Sequence, residues 1–102
     1  MNNFIQEFKK KVAKRKAKIA VVGLGYVGLP LAVEFAKAGF EVFGIDIDKD
    51  RLNHITRKES YISDVTTKEL RRVLDSNRFS ATGNFEALKK TDIIIICVPT
   101  PL

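Results

Sequence analysis

The sequence predicts an α/β fold in which helices flank a parallel β-sheet. Short apolar runs typical of β-strands alternate along the chain with segments that have the apolar periodicity of helices. The last run is apolar on both faces, which is typical of an interior strand of a parallel sheet. The predicted strands are Ile19–Val22, Glu41–Ile45, Arg78–Ala81 and Asp92–Val98.

A glycine-rich turn follows the first strand. The sequence GLGYVG occupies residues 23–28, a helix is predicted over Val27–Ala38, and the second strand leads directly to Asp46. A strand, a glycine turn, a helix, a second strand and an acid in this order are typical of a Rossmann-like dinucleotide site. This context disfavours the alternative that the glycines only serve a tight turn in an unrelated α/β protein.

Each residue of this motif has a physical role in the prediction. Gly23 permits the tight turn, Gly25 leaves no Cβ between the backbone and a pyrophosphate, and Gly28 allows the helix to pack closely on the strand. The free N–H groups of the first helical turn carry about half a positive charge and face the phosphates. The Asp46 carboxylate is predicted to accept hydrogen bonds from the adenosine ribose hydroxyls.

Asp46 also indicates which cofactor is bound. A 2′-phosphate carries close to two negative charges. At about 4 Å the carboxylate would repel each charge by roughly 1 kcal/mol in water, or about 4 kcal/mol at an effective dielectric constant of about 20. Lys49 and Arg51 are near in sequence, but neither directly follows the strand. The sequence therefore predicts NAD rather than NADP.

The positive charge of the chain is confined to its start. The formal net charge is +6 over 102 residues. Residues 1–18 contain seven Lys or Arg and one Glu, whereas residues 19–102 contain eleven basic and eleven acidic residues. The absence of net charge in residues 19–102 argues against a folded basic face for DNA or RNA, so no nucleic-acid partner is predicted.

Composition further predicts a cytoplasmic protein. Cys97 is the only cysteine, which excludes an internal disulfide and fits a reducing compartment. The longest apolar run, Ile93–Val98, has six residues, whereas a membrane span needs about 20, so no membrane partner is predicted. Because Cys97 lies within this apolar run, it is predicted to be buried and structural rather than nucleophilic.

Residues 1–17 are predicted to form a basic N-terminal helix, separate from a dinucleotide-binding domain over residues 18–102. Ile5, Phe8 and Val12 make a narrow apolar stripe on the segment Asn2–Lys16, which is rich in Lys. Such a helix can bind a membrane surface or a partner's groove. Packing on its own domain or on a sister subunit is the favoured alternative.

The helix that follows the glycine turn is apolar nearly all round, which predicts that it is covered on two sides. One cover is the sheet. The second is predicted to be another domain or subunit, so a homo-oligomer is expected.

The middle of the chain is predicted from local signals. His54 is expected to be exposed and without a chemical role. The capping residues and loops are Asp48 as the N-cap of a helix to Lys58, an anchored loop Glu59–Val65, a capping box Thr66–Glu69 that opens a helix through Ser76, and Asn84 as the cap of a brief helix to Lys90.

The first and last strands are predicted to be neighbours at the point where dinucleotides bind. Thr100 follows the last strand, so its hydroxyl is a candidate cofactor contact, with a simple turn residue as an equal alternative. A full dinucleotide fold has about six strands. The predicted sheet is thus truncated after its fourth strand, and the chain is expected to be a fragment of a longer protein.

Two stretches, KIAVVGLGYVGLPLAVEFAKAGFEVFGIDID and IIIICVPTPL, closely resemble the N-terminal domain of the UDP-glucose/GDP-mannose dehydrogenase family. The resemblance covers nearly all of residues 18–102. It implies an enzyme that oxidises C6 of a nucleotide sugar from alcohol to carboxylate with two NAD. The segment SYISDV and the form GLPLA look more like the UDP-N-acetylhexosamine branch than the UDP-glucose branch, which implies a UDP-N-acetylhexosamine substrate.

The resemblance also implies roles for individual residues. Asp46 would take the adenosine ribose, Arg51 would lie over the adenine side, and Thr100 would contact the cofactor. The residues that would hold the pyrophosphate are Gly23, Gly25, Tyr26, Val27 and Gly28.

The family's catalytic cysteine, its lysine and its sugar-binding residues lie in later domains. No catalytic residue and no metal ligand is therefore predicted within this chain, which is expected to be inactive on its own. The alternative from another class is a non-catalytic NAD-sensing module of a regulatory protein.

Overall fold

The computed structural model describes residues 2–97. All the predicted strands and helices are present, with small differences at their ends, and the helix before the last strand is a 3₁₀ helix. In chain order the elements are α1 (Asn2–Ala13), β1 (Lys18–Val22), α2 (Gly28–Lys37), β2 (Glu41–Ile45), α3 (Lys49–Thr56), α4 (Thr67–Asp75), β3 (Phe79–Thr82), the 3₁₀ helix (Phe85–Lys90) and β4 (Ile93–Ile96).

The strands form one parallel sheet in the order β3-β2-β1-β4. At the end of β1, Val22 lies opposite Ile45 of β2 on one side and Ile96 of β4 on the other. The Rossmann-like α/β class and the predicted contact between the first and last strands are both confirmed. Because the strands run in the same direction, the segments that follow β1, β2 and β4 emerge at one edge of the sheet.

The core combines side chains from the sheet, from α2 and α4, and from the segment between α3 and α4. Burial of each large apolar side chain contributes about 1.5–3 kcal/mol to the free energy of unfolding. The largest fully buried side chains are Phe79, Leu24, Leu29, Ile45, Leu70, Val21, Val33 and Val42. Leu24 belongs to the glycine turn, so this turn is anchored in the core.

α2 is covered by the sheet and by α4 of the same chain. Val33 and Ala36 of α2 pack in one cluster with Leu70 and Val73 of α4, and α4 runs alongside α2. This arrangement corrects the prediction that the second cover is another domain or subunit. Local sequence showed that α2 needs two covers, but not that a helix some thirty residues later supplies one. The covering of α2 therefore no longer supports the expectation of a homo-oligomer.

β4 is an edge strand within residues 2–97, where it pairs only with β1. Ile93 and Ile95 pack against the core, whereas Ile94 and Ile96 are 49% and 67% exposed. The expected unpaired far edge is confirmed for the described residues. The interior environment expected for this strand is not found there, because nothing within residues 2–97 covers its second face.

α1 forms as predicted, although it ends at Ala13 rather than Lys16. Polar contacts connect this N-terminal segment to the domain: Lys11 Nζ lies 3.1 Å from Asp92 Oδ1, and Arg15 Nε donates to the Ala38 carbonyl at 2.8 Å. Ile5 and Val12 of the apolar stripe are exposed, whereas Phe8 is half-buried, so the stripe packs on this domain only in part. Packing on a sister subunit stays a prediction. The boundary at residue 17 between a separate N-terminal helix and the dinucleotide-binding domain stays a prediction.

Within residues 2–97, no helix combines the length and apolarity that crossing a bilayer requires.

The predicted local caps are confirmed. The Asp48 side chain accepts from the N–H groups of Asp50 and Arg51, at 2.9 and 3.2 Å. Thr66 Oγ1 accepts from the Glu69 N–H at 3.0 Å, and Asn84 Oδ1 accepts from the Glu86 N–H at 2.9 Å. Each helix begins at the residue directly after its cap, as the sequence indicates.

Candidate functional site

The glycine turn begins with a residue that only glycine suits. Gly23 has φ +97°, a conformation that L side chains rarely adopt. Its N–H donates to the Ile45 carbonyl at 2.8 Å, so the end of β1 is joined to the end of β2. The chain then enters α2 at the edge of the sheet where β1 ends.

Gly28, the first residue of α2, lies against the backbone of this turn. A Cβ built at Gly28 would be 1.6 Å from the Gly23 carbonyl oxygen and 2.7 Å from the Gly23 carbonyl carbon. No side chain fits there without displacing main chain. The predicted role of Gly28 in close helix–strand packing thus has a specific partner, which is the carbonyl of the first glycine.

The start of α2 presents unpaired N–H groups. Val27, its N-cap residue, provides no side-chain cap, and Pro30 has no N–H. Four consecutive N–H groups find no acceptor within residues 2–97, namely those of Gly25, Tyr26, Val27 and Gly28. Exposed N–H groups and the positive end of a helix dipole bind anions, and a pyrophosphate suits this cradle. The residues present therefore fit the phosphate portion of a dinucleotide.

Asp46 lies beside this cradle and is held by three donors. Its Oδ2 accepts from the Leu24 N–H at 2.8 Å and from Arg51 Nη1 at 3.0 Å, and its Oδ1 accepts from the Asp48 N–H at 2.8 Å. The residue is only 6% exposed. A carboxylate offers about four lone-pair sites, so roughly one remains, on Oδ1, for a ligand hydroxyl. The predicted ribose ligand is therefore also the residue that fixes the turn.

These donors keep Asp46 ionised despite its burial. Burial alone would raise the pKa of Asp46, but the N–H groups of Asp48 and Leu24 and the Arg51 guanidinium together hold that pKa below its ordinary value of 3.8. A buried carboxylate that remains charged at neutral pH can accept hydrogen bonds from sugar hydroxyls and repel an added phosphate.

We expect acid to destabilise the chain through this residue. Because the pKa of Asp46 is lower in the folded chain than in the unfolded chain, the folded state binds fewer protons, and its stabilisation is present above about pH 4. The free energy of unfolding should fall as the pH is lowered through and below this value. Urea titrations at a series of pH values check this, and Asp46→Asn should flatten the acid limb. An acid limb of equal steepness in both proteins would contradict it.

Arg51 connects the acid to the glycine turn. The Asp48 cap places Arg51 in the first turn of α3, from where its guanidinium contacts Asp46 and lies 3.8 Å from Asp48 Oδ2. A Cβ built at Gly25 would be 3.4 Å from Arg51 Nη2. The hydrogen bond to Asp46 raises the pKa of Arg51 further. Arg51 therefore lies over the turn and the acid.

An apolar cleft of about 130 Å³ opens on the other side of Asp46. Ile47 and Phe85 line it and are largely exposed, and together they suit a flat apolar ring. Arg51 does not line this cleft but a separate depression beside Gly25. Sequence reasoning missed Ile47 and Phe85, although an isoleucine directly after the motif acid and a phenylalanine directly after the Asn84 cap were visible signals.

Tyr61 is a third residue that sequence reasoning missed. Its hydroxyl donates to the Leu24 carbonyl of the glycine turn at 2.7 Å. Burial raises the pKa of Tyr61 well above its usual range, so the hydroxyl remains a donor at neutral pH. The loop Glu59–Val65 was predicted to be anchored, and burial of Ile62 and Val65 confirms this. The sequence did not indicate that the loop reaches the glycine turn.

Three further residues are candidates from the sequence, of which His54 and Cys97 lie within the described residues. His54 is half-buried rather than exposed, because its ring packs 5.6 Å from the ring of Tyr61, and its Nδ1 has no partner within the described residues. Cys97 is half-buried, and its N–H donates to the Val22 carbonyl at 2.7 Å. Thr100 lies outside the described residues.

Known proteins are similar to this chain in sequence and in fold. The family model that describes the UDP-glucose/GDP-mannose dehydrogenase family, NAD binding domain, matches residues 17–102. A UDP-N-acetyl-D-mannosamine dehydrogenase from Pyrococcus horikoshii is 40% identical over 86 residues, which are 83% of this chain and 21% of that protein. A UDP-N-acetyl-D-glucosamine 6-dehydrogenase from Pseudomonas aeruginosa is 42% identical over 85 residues, which are 83% of this chain and 19% of that protein.

Solved structures agree with the sequence matches. The structure of the Pyrococcus horikoshii UDP-N-acetyl-mannosamine dehydrogenase superposes with a TM-score of 0.77 at 39% identity, over 83% of this chain and 21% of the other. A ternary complex of GDP-mannose dehydrogenase from Pseudomonas aeruginosa superposes with a TM-score of 0.75 at 32% identity, over 81% of this chain and 20% of the other. The chain thus spans about a fifth of the length of the relatives it matches.

Proposed function

Because the chain belongs to the UDP-glucose/GDP-mannose dehydrogenase family as its NAD-binding domain, we propose that it supplies the cofactor site of a longer nucleotide-sugar 6-dehydrogenase. That enzyme oxidises the C6 alcohol of a UDP-sugar to the carboxylate with two NAD. NAD supplies the chemistry of hydride acceptance when it is bound. The residues of this chain bind and orient it.

The observation that carries the proposal is the row of unpaired N–H groups beside the ionised Asp46. The N–H groups of residues 25–28 bind the pyrophosphate. The remaining lone pair of Asp46 Oδ1 accepts from the adenosine ribose. Arg51 orients Asp46 and stays the residue proposed for the adenine side, and the cleft lined by Ile47 and Phe85 offers an apolar surface for the adenine ring. Tyr26 and Val27 flank the cradle with exposed side chains.

The substrate we propose is a UDP-N-acetylhexosamine. Support comes from relatives at 40–42% identity over this region that are named UDP-N-acetyl-D-mannosamine dehydrogenase or UDP-N-acetyl-D-glucosamine 6-dehydrogenase. These names favour an enzyme over the alternative NAD-sensing module. We further propose that the enzyme is cytoplasmic and a homo-oligomer, and that Thr100 contacts the cofactor.

We expect purified residues 1–102 to bind NAD more tightly than NADP and to produce no NADH when a UDP-N-acetylhexosamine is added. Isothermal titration calorimetry with both cofactors measures the first, and NADH absorbance measures the second. Binding to neither cofactor by a folded chain would contradict the proposed cofactor site. Turnover of the sugar by this chain alone would contradict the proposal that catalysis needs further domains.

A further inference from the structure

We propose that Tyr61 is a positioning residue for the cofactor, because its hydroxyl fixes the direction in which the Gly25 N–H points. This inference rests on the proposed function, since the ligand of that N–H is the pyrophosphate of NAD. It assigns a role to the loop Glu59–Val65, which the dinucleotide motif does not contain.

Leu24 is held at three points, and Tyr61 supplies the last of them. The Leu24 side chain is fully buried in the core. Its N–H donates to Asp46 Oδ2 at 2.8 Å, and its carbonyl accepts from the Tyr61 hydroxyl at 2.7 Å. The first two contacts act on the side chain and on the N–H of Leu24, and neither acts on the peptide group that follows it. The third contact fixes that peptide group.

The geometry of the peptide bond carries this constraint to the cofactor side. In a planar trans peptide the carbonyl and the next N–H point in opposite directions. Because the Leu24 carbonyl points at Tyr61, the Gly25 N–H points away from Tyr61 and finds no acceptor within residues 2–97. Gly25 has no side chain to restrict its own backbone. Without the hydroxyl, this N–H would sample other directions before a ligand binds, and ordering it would weaken binding.

The loop that carries Tyr61 is rigid for reasons independent of any cofactor. Ile62 and Val65 are buried in the core. The Ser60 hydroxyl bonds within the loop to the Ile62 carbonyl at 3.0 Å, and the Ser60 N–H donates to Thr67 Oγ1 at 3.1 Å. The His54 ring packs on one side of Tyr61. The tyrosine is therefore placed by the fold and can act as a fixed reference for the turn.

Tyr61→Phe tests the inference because it removes the hydroxyl and keeps the ring. We expect the dissociation constant for NAD to rise roughly 3- to 30-fold, as for one lost hydrogen bond that leaves a carbonyl unpaired. The order parameter of the Gly25 N–H, measured by ¹⁵N NMR relaxation without cofactor, should fall because the N–H samples more directions. In the longer enzyme, KM for NAD should rise while kcat and KM for the UDP-sugar change little. Ser63→Ala is the matched control, because Ser63 is an exposed residue of the same loop.

Two results would overturn the inference. One is a Tyr61→Phe chain with wild-type affinity for NAD; the other is an unchanged order parameter of the Gly25 N–H together with a loss of thermal stability that accounts for any weaker binding. The relaxation measurement needs no cofactor. If the wild-type chain does not bind NAD, the proposed function fails, while the effect of Tyr61 on the turn is still measured.

Discussion

Replacement of Gly28 with alanine is expected to abolish NAD binding and to lower the free energy of unfolding by about 3 kcal/mol or more. The added Cβ would be 1.6 Å from the Gly23 carbonyl oxygen, a main-chain atom. Gly23 cannot move away easily, since its N–H is bonded to the Ile45 carbonyl and its φ of +97° already requires glycine. The start of α2 must therefore shift outward, and the N–H cradle shifts with it.

Gly83→Ala provides the control for this experiment. A Cβ at Gly83 would have Leu52 Cδ1 and the Asp46 carbonyl oxygen as its nearest atoms, at 3.4 and 3.5 Å, which are ordinary contact distances. Urea denaturation and NAD titration of both variants should separate them, with Gly83→Ala close to the wild-type chain. Equal stability of Gly28→Ala and Gly83→Ala would mean that the close approach of α2 to the turn does not matter.

The features that sequence predicted well are those determined by neighbours in the chain. The turn at Gly23, the start of α2 at Gly28 and the acid at Asp46 follow one another within one strand–helix–strand unit. The Asp48 cap depends on N–H groups only two and three residues away. Local geometry leaves few alternatives in such cases, so pattern and structure agree.

The features that sequence missed depend on contacts between distant residues. Tyr61 and Leu24 are 37 positions apart, and nothing in the loop Glu59–Val65 indicates which part of the fold its tyrosine meets. The second cover of α2 is α4 for the same reason. The polar helix around His54 predicts an exposed side chain, but the ring of Tyr61, seven positions later, covers it.

Removal of the Asp46 carboxylate is expected to weaken NAD binding and to narrow the preference for NAD over NADP. Asp46→Ala deletes the acceptor proposed for the ribose, which should reduce NAD affinity roughly 10- to 100-fold. It also removes the charge that repels a 2′-phosphate and releases the guanidinium of Arg51, now 3.0 Å from Asp46. NADP affinity should therefore fall less than NAD affinity, or rise.

The three donors around Asp46 complicate this variant, because alanine leaves the N–H groups of Leu24 and Asp48 without their acceptor. Asp46→Asn separates the two effects, since its amide oxygen still accepts one hydrogen bond while the charge is lost. Asp50→Ala is the charge-matched control, because Asp50 is exposed on the first turn of α3 and its side chain is outside the Asp46–Arg51 pair. Titration of each variant with NAD and NADP measures the ratio of the dissociation constant for NADP to that for NAD. If that ratio is the same in Asp46→Asn, Asp50→Ala and the wild-type chain, the charge of Asp46 does not select the cofactor. If that ratio falls only in the Asp46 variants, the charge of the buried Asp46 carboxylate selects the cofactor.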